Sequence, residues 1–419
     1  KVYFTSMRVS GGEDLCAKLV RLVRTAGIET IDFKDKFTAI KLHFGEEGNL
    51  AFLRPDYART IVRLVRSLGG KPFVTDCSTL YVGSRKNALD HLDTAYRHGY
   101  NPFATECHTI IADGIKGTDD VEVPINGEFV TRAKIGRAIM DADVLISLTH
   151  FKGHEGTGFG GTLKNIGMGC GSSRGKAEMH ESEKPAVDEK VCVACGVCAE
   201  NCAHGAIHVD TRAHVDYEKC KGCGRCIGVC PTKAMRPGAE NGCEVLSRKV
   251  TEYAYAVCKD RPNFHISLLI DVSPFCDCYP SNDAPVIPDV GMFASFDPVA
   301  LDQACADAAN REHAILDSFL GEKHAPAHSD HFHAMHPDTK WEAGIEQGVK
   351  LGFGLPGGDG AGVIVAAHRD AARRAGSMTA LELRVGVGLA VSAAQHPQHH
   401  AVDGTGTLHR VPVYAALPS

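Results

Sequence analysis

The polarity pattern along the first 180 residues switches between two periods. TAIKLHF (38–44) reads as an apolar strand and is followed by the turn-rich GEEGN. Over residues 55–68 the spacing becomes helical, with Ala58, Val62, Val65 and Leu68 on one face. Gly69-Gly70 stops that helix. KPFVTDCST (71–79) is the next strand, and residues 84–98 the next helix, ended by Gly99. TIIAD (109–113) and DVLISLTHF (143–151) are further strands, with a helix expected near 132–140 between them. Past residue 240 the rhythm returns. HISLLIDVS (265–273) is an apolar strand, and GMFASFDPVALDQACADAAN (291–310) runs from strand into helix, with Asp297 suited to the N-cap and Pro298 to the first turn. Apolar strands alternating with helices predict an α/β fold with a mainly parallel sheet covered on both faces.

Residues 186–240 break this rhythm. They are rich in Cys and Gly and repeat themselves once, so they read as a module inserted into the α/β domain. The expected organisation is an α/β domain over 1–185 and 241–355, a ferredoxin-like α+β module over 186–240, and an atypical tail over 356–419. From residue 354 the chain runs GLPGGDGAGVIVAAHRDAARRAGS, and no regular structure is expected in the tail. A chain of 419 residues has room for such a division.

The formal net charge of −6 favours neither nucleic acid nor an anionic membrane as partner. There is no run of 18 apolar residues, so no membrane span is expected. KVYFTSMRVS has no apolar core of a secretory signal. Composition changes the picture at one residue type: 17 cysteines, of which eight fall into two tight quartets. Such clustering suits metal ligation in a reducing, cytoplasmic setting better than a disulfide framework.

The quartets are Cys192, Cys195, Cys198, Cys202 and Cys220, Cys223, Cys226, Cys230. Both follow C-x2-C-x2-C-x3-C, the spacing of bacterial two-cluster ferredoxins. Three close thiolates reach three corners of one cuboidal cluster, and Gly196, Gly222 and Gly224 let the backbone wrap it. The fourth Cys serves the other cluster. One [4Fe–4S] cluster is therefore expected on Cys192, Cys195, Cys198 and Cys230, and a second on Cys220, Cys223, Cys226 and Cys202. Zinc knots use paired cysteines too, but as two separated C-x-x-C pairs. Ala203 stands where the pattern has Pro; Pro231 keeps it.

The segments KLHFGEEGN (41–49), TLYVGSRKNALDHL (79–92), SLTHFKGHEGTGFGGTLKNIGMGC (147–170), DVSPFCDCYPSNDAPVIPDVG (271–291) and SFDPVALDQA (295–304) resemble the "domain of unknown function 362" family, in particular members with an internal two-cluster ferredoxin module. The resemblance covers roughly 1–355. It implies a soluble bacterial or archaeal iron–sulfur protein, and a distant relation to the fold of nickel-dependent lactate racemase. The tail departs from the family's pattern.

Outside the quartets the richest segment is THFKGHEGTGFGGTLKN (149–165), just past an apolar strand, where open α/β sheets bind ligands. His150, His154, Lys152 and Lys164 supply polar groups, and Gly156, Gly158, Gly160 and Gly161 let amides approach an anion. The alternative is a Gly-rich connection with solvated side chains. His43 faces the same crevice or is structural. Cys276, Asp277 and Cys278, with Asp283 nearby, suit a metal, a redox thiol pair or two buried thiols. Cys170 is a weaker redox candidate. Cys16, Cys77, Cys107, Cys243, Cys258 and Cys305 read as ordinary thiols, and the five histidines of HAPAHSDHFHAMH (324–336) as a solvated loop.

These features favour an iron–sulfur oxidoreductase whose two clusters carry electrons to a site in the α/β domain. His150, His154, Lys164, Cys276 and Cys278 would bind substrate or move protons there. Its partner would be a redox protein or an anionic small molecule. The alternatives are a ferredoxin-type electron-transfer subunit and a racemase-like metal-dependent isomerase with structural clusters.

Overall fold

The computed structural model describes residues 1–353, apart from Ser10, Glu240 and 325–328, together with the pair Ala366–Ala367. The remainder of the 356–419 segment lies outside the described residues. The principal strands are β1 (Tyr3–Ser6), β2 (Phe37–Lys41), β3 (Lys71–Asp76), β4 (His108–Ile111), β5 (Val144–His150), β6 (Asn263–Leu269) and β7 (Gly291–Ser295). The principal helices are α1 (Leu15–Thr25), α2 (Pro55–Ser67), α3 (Ala88–Arg97), α4 (Thr162–Cys170), α5 (Ser173–His180), α6 (Gly242–Cys258), α7 (Pro298–Ala309) and α8 (Glu342–Lys350).

One sheet organises the chain, in the order Ala366–Ala367, β1, β7, β6, β5, β2, β3, β4. The run from β6 to β4 is parallel, and β7 and β1 are antiparallel additions at one side. Alternate residues feed two cores. Ile40, Val74, Ile146 and Ile266 pack with Leu19 and Val23 of α1 and Ile61 and Val65 of α2. Ala39 and Leu145 point to the opposite core, beside Ile166 of α4 and Leu246 and Val250 of α6. The mixed α/β architecture with a mainly parallel sheet is therefore as the apolar strands indicated. Asp297 caps α7 by accepting from Ala300 N at 2.8 Å.

Three expectations need correction. Residues 132–140 are mostly not helix: Arg132–Gly136 pairs with Asp120–Pro124 in a hairpin, and only Arg137–Met140 turns helically. Ala133 and Ile135 are buried on either side of Lys134, a period of two that overrides helix propensity. The helix expected over 84–98 starts late, at Ala88, where the Asn87 side chain accepts from Leu89 N and Asp90 N. The His-rich tract is not a solvated loop over its described part. His331 and His336 are buried, hydrogen-bonded to Glu312 O and Pro274 O at 2.9 and 2.7 Å.

Between α5 and α6 the chain leaves the sheet. Pro185–Val187 pairs antiparallel with Met235–Pro237, so the inserted segment starts and finishes side by side. A second hairpin joins Ile207–Val209 to Ala213–Val215. Each half of the repeat contributes one helical turn, Val197–Glu200 and Arg225–Gly228, and each turn is entered through a glycine with positive φ, Gly196 at 81° and Gly224 at 71°. A side chain would be strained at both positions.

Candidate functional site

The C-terminal ends of the parallel strands converge on one cleft of about 120 Å³. Lys41 ends β2, Asp76 ends β3 and His150 ends β5. Lys41 Nζ lies 3.0 Å from Asp76 Oδ1 and donates to Asn165 Oδ1 at 2.9 Å. Arg85, 1% exposed, lies 3.1 Å from Glu46 Oε2 and 3.6 Å from Asp76 Oδ2, and donates to the Tyr81 hydroxyl. Burial opposes the Arg85 charge, but Tyr81, Glu46 and Asp76 hold it firmly protonated. Six basic side chains line the cleft, Lys41, Arg85, Lys152, Lys164, Lys176 and Arg225, against two carboxylates, Asp76 and Glu155. Among the described residues, no carboxylate lies within 4.0 Å of the ammonium of Lys164 or Lys176. The wall suits an anionic ligand.

The residues named from the sequence divide sharply. His43, Lys152, His154, Lys164 and Cys278 line the cleft. His43 is pushed well below the usual histidine range by burial and by the Arg85 charge, and its Nδ1 accepts from Gly45 N at 3.0 Å. His150 does not line the cleft. Its Nδ1 faces Asp277 at 2.9 Å and its Nε2 faces Ile270 O at 2.9 Å, so both ring nitrogens are committed to the protein. Asp277 is fully buried and also holds Lys152 at 3.1 Å. His150 and Lys152 thus fix the loop that carries Cys276 and Cys278.

Within that loop Cys276 Sγ accepts from Lys164 Nζ at 3.3 Å and from Cys278 N at 3.4 Å. The sulfurs of Cys276 and Cys278 and a ring nitrogen of His154 all lie within 4.8 Å of one another. Burial pushes the Cys276 thiol up, but Cys278, Lys164 and His154 outweigh it and hold Cys276 well below the usual thiol range. Cys278 is raised by its hydrogen bond to Cys276, by burial and by the Cys276 charge. The two sulfurs of the pair are thus pushed in opposite directions. Asp283 is exposed and belongs to no such group among the described residues.

The glycine loop differs from its expected use. Gly156 N and Thr157 N donate to His154 Nδ1 at 3.0 and 3.1 Å. Thr162 N and Leu163 N donate to the Asp302 carboxylate at 2.6 and 2.8 Å. These four amides are already engaged, which leaves the basic side chains as the groups available to an anion. Gly153 and Gly161 are required by proximity: a Cβ would lie 2.2 Å from Pro274 O at one and 2.5 Å from Asp302 Oδ1 at the other. Burial raises the Asp302 carboxyl to about 7 against its hydrogen bonds from Leu163 and Thr162. The native state then binds more protons than the unfolded chain between pH ~4 and ~7, so stability falls as pH rises through that window. Asp302→Asn is expected to flatten the slope, which reaches at most about 1.4 kcal/mol per pH unit for one proton. Thermal melts across that range check it.

Among the other cysteines, Cys170 is buried, pushed up to about 11 mainly by desolvation, and does not line the cleft. Cys77 and Cys243, read from sequence as ordinary thiols, do reach the cleft wall. Arg85, Lys41, Lys176 and Tyr279 were not singled out in the sequence. Lys41 carried a signal, a lone cation inside an apolar strand; Arg85 and Tyr279 lay in loops whose course sequence alone does not give.

In the inserted segment the eight quartet cysteines surround two small cavities. Cys192, Cys195, Cys198 and Cys230 line one. Cys202, Cys220, Cys223 and Cys226 line the other. The donor set fits a thiolate-ligated metal group. Ala206 N donates to Cys202 Sγ at 3.2 Å and Gly222 N to Cys220 Sγ at 3.4 Å. Two buried polar atoms with no hydrogen-bond partner among the described residues, His204 Nε2 and Arg225 Nε, belong to residues lining the second cavity, where sulfur acceptors would satisfy them. Cys223, Gly224 and Arg225 also form part of the wall of the main cleft.

Residues 38–307 match the family described as Domain of unknown function (DUF362). The chain belongs to this family. The DUF362 match runs from β2 into α7, so it encloses the cleft residues from Lys41 to Tyr279 and all eight quartet cysteines. No curated protein matches the chain. By structure this DUF362 protein is similar to the lactate racemase apoprotein from Thermoanaerobacterium thermosaccharolyticum, at 11% identity and a TM-score of 0.31, over 64% of this chain and 51% of that one. It is also similar to a structural-genomics target from Thermotoga maritima, at 13% identity and a TM-score of 0.37, over 71% and 60% of the two chains. The chain thus spans about half to three-fifths of those structures. Among the described residues no helix is long and apolar enough to cross a membrane.

Proposed function

We propose that this DUF362 protein is an iron–sulfur oxidoreductase with two [4Fe–4S] clusters in a ferredoxin-like insertion and its reaction site in the cleft at the sheet's C-terminal edge. The observation that carries this reading is the shared wall: Cys223, Gly224 and Arg225 line both the second thiol-lined cavity and the cleft. A bound cluster supplies one electron at a time. The chain's own residues do the rest. Cys192, Cys195, Cys198 and Cys230 hold one cluster, and Cys202, Cys220, Cys223 and Cys226 the other. Lys164, Lys176 and Arg225 bind an anionic substrate, and the ordered donors around Cys276 and Cys278 hold a proton close to it. A dedicated cleft beside the second quartet favours this reading over a carrier that only shuttles electrons between other proteins.

Anaerobically purified protein is expected to contain about eight iron and about eight inorganic sulfide per chain, four of each per cluster. Reduction with dithionite should give electron paramagnetic resonance signals of two interacting one-electron centres. Zinc in place of iron, with no sulfide, overturns the redox reading.

A further inference from the structure

We propose that Cys276 and Cys278 form a dithiol–disulfide couple at the cleft, in which Cys278 exchanges with a small anionic thiol or its disulfide. The inference rests on the reading of the cleft as a redox site. Its geometric basis is separate from the quartets.

Three sulfur and nitrogen donors within 4.8 Å could also serve a soft metal, and the wiring of His154 decides between the two. A histidine bound to metal through one nitrogen normally donates from the other. Here Nδ1 accepts from two backbone amides, Gly156 N at 3.0 Å and Thr157 N at 3.1 Å. A neutral ring so placed carries its proton on Nε2. That nitrogen is a donor, and the donor set around Cys276 reads as three groups serving one sulfur: Lys164 Nζ, Cys278 N and His154. Such a shell stabilises a thiolate. It leaves a metal with two sulfurs and no lone pair from the ring.

Access distinguishes the two cysteines. Cys276 is 1% exposed and behind the wall, whereas Cys278 is part of the wall. An incoming disulfide therefore meets Cys278. The step balances without a further oxidant. The Cys276 thiolate takes the Cys278 proton as Cys278 Sγ attacks one sulfur of the disulfide, and the other sulfur leaves as a thiolate. That leaving thiolate takes the proton from Cys276. Cys276 Sγ then attacks Cys278 Sγ, the mixed disulfide breaks, and the second half leaves as a thiolate. The protein is oxidised by two electrons and the substrate disulfide becomes one thiol and one thiolate. In reverse, a substrate thiolate attacks Cys278 and Cys276 departs as the stabilised thiolate, which a low thiol pKa accelerates. Lys164 and Lys176, with no carboxylate within 4.0 Å among the described residues, select an acidic substrate over a basic one.

The test uses anaerobic full-length protein and two small disulfides of opposite charge, dithiodiglycolate and cystamine, with peptide mapping of trapped thiols. Dithiodiglycolate is expected to join Cys276 to Cys278 at least about tenfold faster than cystamine. The pH profile of that linkage should have its midpoint well below pH ~8.5, because the Cys276 thiolate takes the Cys278 proton, and Lys164→Gln should move that midpoint up by about one unit, with Lys164→Arg restoring it. A midpoint shift reports on the sulfur itself, which a loss of fold does not mimic. Equal rates with both probes, no Cys276–Cys278 linkage, or zinc or nickel held by the pair overturns the proposal. Iron and sulfide are counted on the same sample. A full complement with an inert pair sinks the couple alone, whereas zinc in the quartets with a reactive pair sinks the proposed electron supply instead.

Discussion

Cys223→Ala is expected to remove about half of the bound iron and to leave the cluster at the other quartet in place. Cys223 lines the second thiol-lined cavity, and the first is lined by Cys192, Cys195, Cys198 and Cys230. The crosswise arrangement makes a sharper prediction through double variants. Cys202 lies with the first repeat in sequence but lines the second cavity. Cys202→Ala combined with Cys223→Ala should therefore lose no more iron than Cys223→Ala alone. Combining Cys202→Ala with Cys192→Ala should lose nearly all of it. Two ligands of one cluster fail together, as groups acting as a unit do, whereas ligands of different clusters add. Iron counts on these three purified variants read this directly. If Cys202→Ala pairs with Cys192→Ala as a single loss, each repeat holds its own cluster and the assignment is wrong.

The largest effect outside the quartets is expected at Asp277. Its carboxylate is fully buried, with His150 Nδ1 at 2.9 Å and Lys152 Nζ at 3.1 Å. Its backbone carbonyl also accepts from Glu46 N at 2.9 Å. Burial raises the Asp277 carboxyl, but His150 and Lys152 outweigh it and hold it ionised. Asp277→Ala leaves Lys152 buried without its carboxylate, a loss of roughly 3–5 kcal/mol. At about 2–4 °C per kcal/mol the melting temperature should fall by roughly ten degrees. Asp277→Asn retains one acceptor and should cost less. Calorimetry of the two variants compares them. Equal and small losses would mean that Asp277 does not anchor the Cys276–Cys278 loop.

Much of this organisation was legible in the chain because it is local. Pro55 at the start of α2, Asp297 capping α7 and the apolar run of β5 each follow from a few neighbouring residues. The grouping of the quartet cysteines around two cavities was legible for the same reason, since it follows from their spacing. What escaped were long-range relations. The second strand of the hairpin, Arg132–Gly136, was mistaken for helix because its alternation is short and ends in a genuine helical turn. Arg85 sits in a loop, and only the fold brings it to Glu46 and Asp76. His150 looked like a reactive group at a strand end. Its partners, Ile270 O and Asp277, come from 120 and 127 residues further along. The glycines of 156–161 suggested an anion cradle, and nothing in their spacing announces that Asp302 takes the next amides.

The paired entry and exit strands, Pro185–Val187 and Met235–Pro237, bear on how the chain reaches its native state. Strands β5 and β6 are neighbours in the sheet, yet Ser147 pairs with His265 only after the whole insertion has intervened. An unstructured excursion of that length would add to the entropy of closing the sheet, although only logarithmically. Because its two ends are zipped together, the insertion behaves as a short tether once it has formed. Folding of that segment can then proceed without disturbing the register of the strands on either side.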